Sequence, residues 1–509
     1  MIRWGHCITV GMLSAALAGC AVTADYHPPA FDLPARWSEA PEMSGLASAA
    51  SPRWWTTFKD PQLDSLIERA VRANLDLQLA EARIREVRGR RGAAAASLWP
   101  VVDATASYKR ERESVNAPAP VLVTPGGPFE SPAGQQENLF QAGFDAAWEI
   151  DLFGGKRRSI EAAEAELEAS FYDRGAVALT LLAEVARNYI DLRGMQEQIA
   201  VAKESLAVQK ETLRLTQARY KGGVATDLDV AQAETQVEAI ASQIPMLETS
   251  YKEAAHRLGL LLGQPPGALS DELKTARPIP VAAPALPSDL PSDLLRQRPD
   301  IRRAERQLAA TTAHLGVATA DLYPKFSLLG TLGLASVAAG NFFSSGSTLW
   351  SIGPSMTWPI FRGGQIVATI EVRDAQKQQA LISYRQTILT ALEDVENAIA
   401  SYSLEQNRRT ALARSVYSSE RAVDLARELY VSGLTDFRGV LEAQRNLFQA
   451  KSDLARSDTA LSTHLVVLHK ALGGGWNAVL LPADSGLPGQ QSSCVPTPNG
   501  GRSVCSTSP

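Results

Sequence analysis

This 509-residue chain has little of what most enzymes and nucleic-acid binders are built on: six histidines, four cysteines and 6% aromatic residues. No two histidines bracket a carboxylate at helical metal-binding spacing, and His464 and His469 fall on different helix faces. A zinc hydrolase is therefore unsupported, and no metal or cofactor is expected. The Gly-Gly-Lys of "LFGGKRRS" (152–159) lacks the four-residue gap of a phosphate-binding loop and reads as a strand-to-helix turn. No nucleophile-elbow serine motif stands out. A formal net charge of −5 gives no basic face for nucleic acid. No run reaches the roughly 18 apolar residues of a membrane-spanning helix. Nor is there a Met/His-rich tract that would argue for metal handling.

Alanine and leucine are abundant, and proline is missing from two long stretches. From Gly154 to Tyr220 and from Phe361 to Tyr430 there is none, and glycine is rare. Each stretch predicts a helix of about 100 Å. Val185, Leu192, Ile199, Leu206, Leu213 and Tyr220 recur every seventh residue, as do Val395, Tyr402, Arg409, Val416, Val423 and Tyr430. That period implies left-handed supercoiling against neighbouring helices. Residues 227–263 and 436–472 predict returning helices of about 55 Å, the first interrupted at Pro245. Residues 75–98 and 300–323 predict two more.

Four segments alternate instead. In 140–150, Phe140, Ala142, Phe144, Ala146, Trp148 and Ile150 share one face, and polar residues mostly fill the other. In 349–360 the even positions Trp350, Ile352, Met356, Trp358 and Ile360 do the same. Segments 101–108 and 326–334 alternate more weakly. Strands of about ten residues with one apolar face fit a membrane β-barrel, although a soluble sandwich with one wet face has the same pattern. The intervening stretches 112–137 and 336–347 read as exposed hairpin loops. Lipid offers no partner to an open sheet edge, and four strands cannot close a barrel alone. If these strands span a membrane, several chains must share the barrel.

The elements come twice. "LDLQLAE" (75–81) overlies "PDIRRAE" (299–305), and "LWP" (98–100) overlies "LYP" (322–324). Further on, Gly143, Trp148, Tyr220, Gly223, Leu258 and Gly263 overlie Gly353, Trp358, Tyr430, Gly433, Leu468 and Gly473 in the same order. We read a duplication of a unit of about 200 residues. Its turns are "RYKGGVATDLDV" (219–230) and "LYVSGLTDFRGV" (429–440), where Gly222, Gly223 and Gly433 let the helices reverse. Asp229 stands at the start of the first returning helix, where negative charge suits the dipole.

At the N-terminus, "MIRWGHCITVGMLSAALAGC" has a short apolar core ending in small residues before Cys20. It reads as a lipoprotein signal peptide over 1–19, with Cys20 carrying lipid in the mature protein. Ala21 follows, favouring the outer membrane. Cys494 and Cys505 lie in a Pro/Ser/Gly-rich tail; a disulfide and two free thiols fit equally well. The expected organisation is signal peptide 1–19, lipidated linker 20–61, first repeat 62–263, connector 264–298, second repeat 299–473 and tail 474–509.

These residues together resemble the TolC/OprM-type outer-membrane factors, in the NodT-like lipoprotein branch that serves resistance-nodulation-division (RND) efflux pumps. The resemblance runs from Cys20 to Gly474 and rests on the lipobox, "PDIRRAERQLAATTAHLGVATADLYPKFSL", "WPIFRGG" and the paired Tyr-x-x-Gly turns. It implies a mainly α fold with a membrane β-barrel: a homotrimer sharing twelve strands, four from each chain, above a periplasmic α-helical barrel. It also implies a periplasmic adaptor and an inner-membrane RND transporter as partners, and passive conduction of small toxicants or drugs. The alternative is the outer-membrane channel of a type I protein or peptide exporter, or of a metal-ion exporter. By position in this sequence, the closed periplasmic end is assigned to Asp229, Tyr430, Arg438, Glu442 and Arg445. Two departures stand out: Gly439 where some relatives carry an acidic residue, and Thr435 where some carry arginine. The acidic ring therefore falls to Glu442, with Arg445 one helical turn away as its partner.

Overall fold

The computed structural model describes residues 26–38, 52–112, 114, 116, 121–124, 127–130, 136–282 and 297–479. Cys20, Cys494, Cys505 and the expected signal peptide, 1–19, lie outside the described residues. After a short 3-10 turn (Trp54–Phe58), helices α1 (Pro61–Ala73) and α2 (Leu75–Ala96) lead to strand β1 (Val101–Arg112). A small hairpin, β2 (Val121–Thr124) and β3 (Gly127–Glu130), precedes β4 (Gln136–Ile150). Then come α3 (Gly155–Lys221), α4 (Asp227–Leu261) and the single turn α5 (Ser270–Leu273). A second series follows: α6 (Pro299–Ala320), β5 (Lys325–Ser336), β6 (Thr348–Thr357), α7 (Gln365–Val431) and α8 (Phe437–Ala471), with a last turn α9 (Trp476–Val479). Corresponding helices agree in length: α2 and α6 have 22 residues, α3 and α7 have 67, and α4 and α8 have 35.

The chain divides into two compact units. The first takes in Ala82–Phe171 and Arg303–Thr387 and contains the sheet. Its four antiparallel strands run in the order β1-β4-β5-β6, which leaves β1 and β6 as edges. Ala146 pairs with Val102 and with Gly330, and Trp350 pairs with Leu332, so the apolar positions of successive strands share one face. Asp145 pairs with Asp103 and with Thr331, which pairs with Ser351, so the polar positions share the other. The alternation seen in the sequence thus becomes two chemically distinct faces.

Where strand meets helix, the same contact occurs twice. The indole of Trp148 donates to the carbonyl of Leu98 at 2.8 Å, and that of Trp358 donates to the carbonyl of Leu322 at 3.1 Å. Three details differ from the sequence reading. Strand β6 stops at Thr357, so Trp358 and Ile360 lie beyond it; Pro359 has no N–H to continue a ladder. The stretch 112–137, read as one exposed hairpin loop, contains a further hairpin, β2–β3. Helix α4 runs unbroken through Pro245, which is exposed, so water can serve the backbone group left without a partner.

Strands β4 and β5 set two glycines opposite one another, Gly143 and Gly333. A Cβ on Gly143 would lie 2.7 Å from the carbonyl oxygen of Leu332 and 2.8 Å from the Gly333 Cα. Gly143→Ala is therefore expected to cost about 1–3 kcal/mol, read as a lower melting temperature. Gly353→Ala, where a Cβ would meet nothing within 4 Å, is the control and should melt as the native protein does.

The second unit, formed from Asp32–Glu81, Tyr172–Arg302 and the chain from Ile388 onward, is stitched by buried polar groups. Asn74 donates to the carbonyl of Leu261 at 3.0 Å, and Arg298 donates to that of Ala471 at 3.0 Å, so the ends of α4 and α8 are held alike. Glycines follow both ends at positive φ: Gly263 at 66° and Gly473 at 74°. Arg193, fully buried, donates to Gln62 and Gln196 at 2.6 Å each and to the Thr275 carbonyl at 2.9 Å. Its guanidinium lies 4.9 Å from the centre of the Tyr189 ring. Burial first, then the hydrogen bond to Asp60, pushes the Tyr189 hydroxyl up to about 12.

Candidate functional site

The two turns that reverse the long helices are built on one plan. At the end of α3, the N–H of Val224 reaches back to the Arg219 carbonyl at 3.0 Å, around Gly223 at φ 76°. At the end of α7, the N–H of Leu434 reaches the Leu429 carbonyl at 2.9 Å, around Gly433 at φ 71°. Both are Schellman closures, in which a left-handed residue after the helix lets the chain turn; glycine adopts it without strain. Gly222 is different. It has an ordinary φ, a Cβ there would make only normal contacts, and its counterpart in the second turn is Ser432. Of the three turn glycines, only Gly223 and Gly433 are required by the backbone.

The returning helices begin on side-chain caps. Thr226 and Asp229 form a capping box: the Asp229 carboxylate accepts from the Thr226 N–H and hydroxyl, both at 2.8 Å, and the Thr226 hydroxyl accepts from the Asp229 N–H at 3.2 Å. Asp229 thus caps α4. In the second turn Asp436 does this work, accepting from the N–H of Gly439 at 3.1 Å. A Cβ on Gly439 would lie 3.2 Å from the Thr435 hydroxyl, so the two departures noted in the sequence are neighbours.

Beyond the caps, α8 has two faces. Phe437 and Val440 are buried, and Gln444 bonds with Gln209 and with Thr212 of α3 at 3.0 and 3.1 Å. Arg438, Glu442 and Arg445 lie together on the exposed face, at the i, i+4, i+7 spacing of a helical stripe. The expected Glu442–Arg445 ion pair is not formed. Among the described residues none of these three side chains has a hydrogen-bond or ionic partner. The helical spacing permits the pair, but an exposed ion pair contributes only about 0–1 kcal/mol, too little to fix two long side chains.

Tyr430 holds the two turns together. The Arg219 guanidinium lies 4.4 Å from the centre of its ring, and the ring tilts against Phe437 at 5.5 Å. Arg219 and Tyr430 border an open cleft of about 790 Å³ between α3 and the α7–α8 turn, whose apolar walls include Leu215, Val224 and Phe437. The Arg219 Nε is buried without a hydrogen-bond partner, so the aromatic face is its main compensation. Sequence reasoning named Tyr430 and missed Arg219. The signal available was a cation in the last turn of α3, followed by Lys221, where α7 has none.

Comparison with known proteins decides which family these features belong to. A profile described as outer membrane efflux protein matches residues 66–264 and 290–474. The chain belongs to this family. It is 31% identical to nodulation protein T of Rhizobium leguminosarum bv. trifolii, over 92% of this chain and 98% of that one. It is 33% identical to the pyoverdine export outer membrane protein OpmQ of Pseudomonas putida, over 92% of this chain and 97% of the relative. Among solved structures, the outer-membrane channel OprN superposes with a TM-score of 0.81 at 36% identity, covering 90% of this chain and all of that one. This outer membrane efflux protein is therefore a TolC/OprM-type factor of the outer membrane that extends into the periplasm. The family is one of channels rather than enzymes, and its fold is mainly helical with one four-stranded sheet.

Proposed function

We propose that the protein is the exit duct of a tripartite efflux pump. Three copies share a twelve-stranded barrel, each giving four strands, and their helices line a periplasmic tunnel. A periplasmic adaptor and an inner-membrane RND transporter deliver cargo, which passes through passively. The sheet carries this reading: it has one apolar and one polar face and two unpaired edges, and it leads into helices of 67 residues each. Its edges have no stable place in lipid unless copies close them. The equal lengths of corresponding helices support origin by duplication. Relatives named for pyoverdine export, antibiotic efflux and toluene efflux favour small organic cargo over protein.

The two helix turns form the gated end. Arg438, Glu442 and Arg445 project their charges there, Tyr430 ties the turns, and Asp229 serves as a cap rather than as a link between chains. Threefold repetition brings these stripes near a common axis, where Glu442 of one copy can pair with a cation of the next. Glu442→Ala and Arg445→Ala should each raise leak conductance in planar bilayers; unchanged conductance in both would sink the assignment. Cys20 carries the lipid anchor. Cys20→Ser should abolish incorporation of labelled palmitate while leaving the barrel able to form, and label retained in the variant would refute that role. The duct itself is tested by expression with an adaptor and a transporter in a host lacking its own outer-membrane factor. Restored drug resistance supports it, and persistent sensitivity with the protein present in the outer membrane contradicts it.

A further inference from the structure

The register of the sheet sets two carboxylates directly against one another. Asp103 of β1 is the cross-strand partner of Asp145 of β4, so both stand on the polar face, near the helical end of the sheet. Like charges directly opposite are unfavourable in an antiparallel pair. The Asp145 carboxylate is nevertheless fixed from both sides, accepting from Thr105 of β1 and from Thr331 of β5 at 2.9 Å each. Asp103 makes no hydrogen bond or ion pair among the described residues.

The other charges on this face do not offset the pair. Lys109 is engaged by Glu111 at 3.6 Å, and Lys325 by Asp321 at 2.8 Å. Glu149 is held by Lys156 at 3.8 Å, and the remaining charged side chain of the face, Glu137, is itself acidic. At the level of Asp103 and Asp145, the cross-strand partners on β5 and β6 are Thr331 and Ser351, both neutral. The unneutralised charge of the polar face is therefore negative.

We propose that Asp103 and Asp145 make the barrel lumen selective for cations and cationic cargo over anions. This rests on the trimeric duct proposed above, in which the polar face lines the lumen and threefold symmetry sets the pair at one level three times over. Twelve strands spaced about 4.8 Å apart and tilted as in known barrels enclose a lumen roughly 24 Å across, backbone to backbone. Its axis then lies about one Debye length from the wall at 0.1 M salt. The wall charge reaches the permeating ion, and its influence grows as salt is lowered.

The test is the reversal potential of single channels in planar bilayers under a KCl gradient of about tenfold. It is run in a Glu442→Ala background, so that the charge of the tip does not contribute. The expected potassium-over-chloride preference is about threefold, larger at lower salt, and falls to about one in Asp103→Asn/Asp145→Asn. Asparagine keeps one oxygen for one threonine hydroxyl, and its amide NH2 can donate to the oxygen of the other. Asp103→Asn alone, which disturbs no hydrogen bond, should lose about half of the preference. A reversal potential unchanged by these substitutions in a conducting channel overturns the selectivity assignment and leaves the duct intact. Absence of any trimeric conducting species from the parent protein overturns the duct and, with it, the selectivity.

Discussion

Replacing Arg298 with alanine is expected to remove about 3–5 kcal/mol of stability. The side chain is only 9% exposed and binds Asp300 at 2.7 Å, Asp394 at 3.1 Å and the Ala471 carbonyl at 3.0 Å. Its loss leaves two carboxylates beside each other and the end of α8 without its donor. Gly473 packs against the same side chain at a positive φ, so no substitute can be supplied from that direction without strain. The measurement is urea unfolding of the detergent-extracted protein. Arg298→Ala/Asp394→Ala should recover part of the loss, because one uncompensated charge is removed.

The same group predicts acid sensitivity. Burial alone would raise the Asp300 carboxyl, but the Arg298 guanidinium outweighs it and holds the group below its ordinary value of 3.8. A depressed folded-state pKa stabilises the fold above the unfolded pKa, and that contribution is lost as pH falls toward the folded one. The urea midpoint should therefore decrease as pH falls through the ordinary carboxyl value of 3.8 and below it, and less so in Arg298→Ala. Equal acid dependence in the two proteins would show that Asp300 does not report this pair.

The second large effect is functional. Arg219→Ala should raise leak conductance roughly 10- to 100-fold. The contact with Tyr430 joins the two turns of one chain, and in the proposed gate opening would require those turns to separate. A cation–π contact of this kind is worth about 0.5–1 kcal/mol, and three copies would act together in the proposed trimer. Tyr430→Phe keeps the ring and should leave the leak unchanged, whereas Tyr430→Ala should match Arg219→Ala. If Arg219→Ala conducts as the parent does, the contact does not restrain the gate.

Much of this was legible in the sequence because it is written in periods. The seven-residue repeat and the missing prolines located both 67-residue helices to within a few residues, and period-2 alternation located the four strands. The turn glycines were legible as well, but nothing in "KGGV" separates Gly223, which needs a left-handed backbone, from Gly222, which does not. Pro245 was misleading because a proline disrupts a helix through one missing N–H and a local clash, both tolerable on an exposed face. Arg193, Arg219 and Arg298 were not legible at all. An arginine reads as solvated until a fold brings acceptors or an aromatic ring to it, and partners such as Gln62, Tyr430 and the Ala471 carbonyl are distant in sequence. The Glu442–Arg445 pair failed for the converse reason, since sequence proximity on an exposed helix face does not fix two long side chains.

The central claim is that four strands from each of three chains close one barrel in the outer membrane. Native mass spectrometry of the protein extracted from purified outer membranes tests it most directly. The account predicts a complex of three chains that survives detergent and dissociates on heating. A single chain recovered from the soluble periplasmic fraction would contradict it.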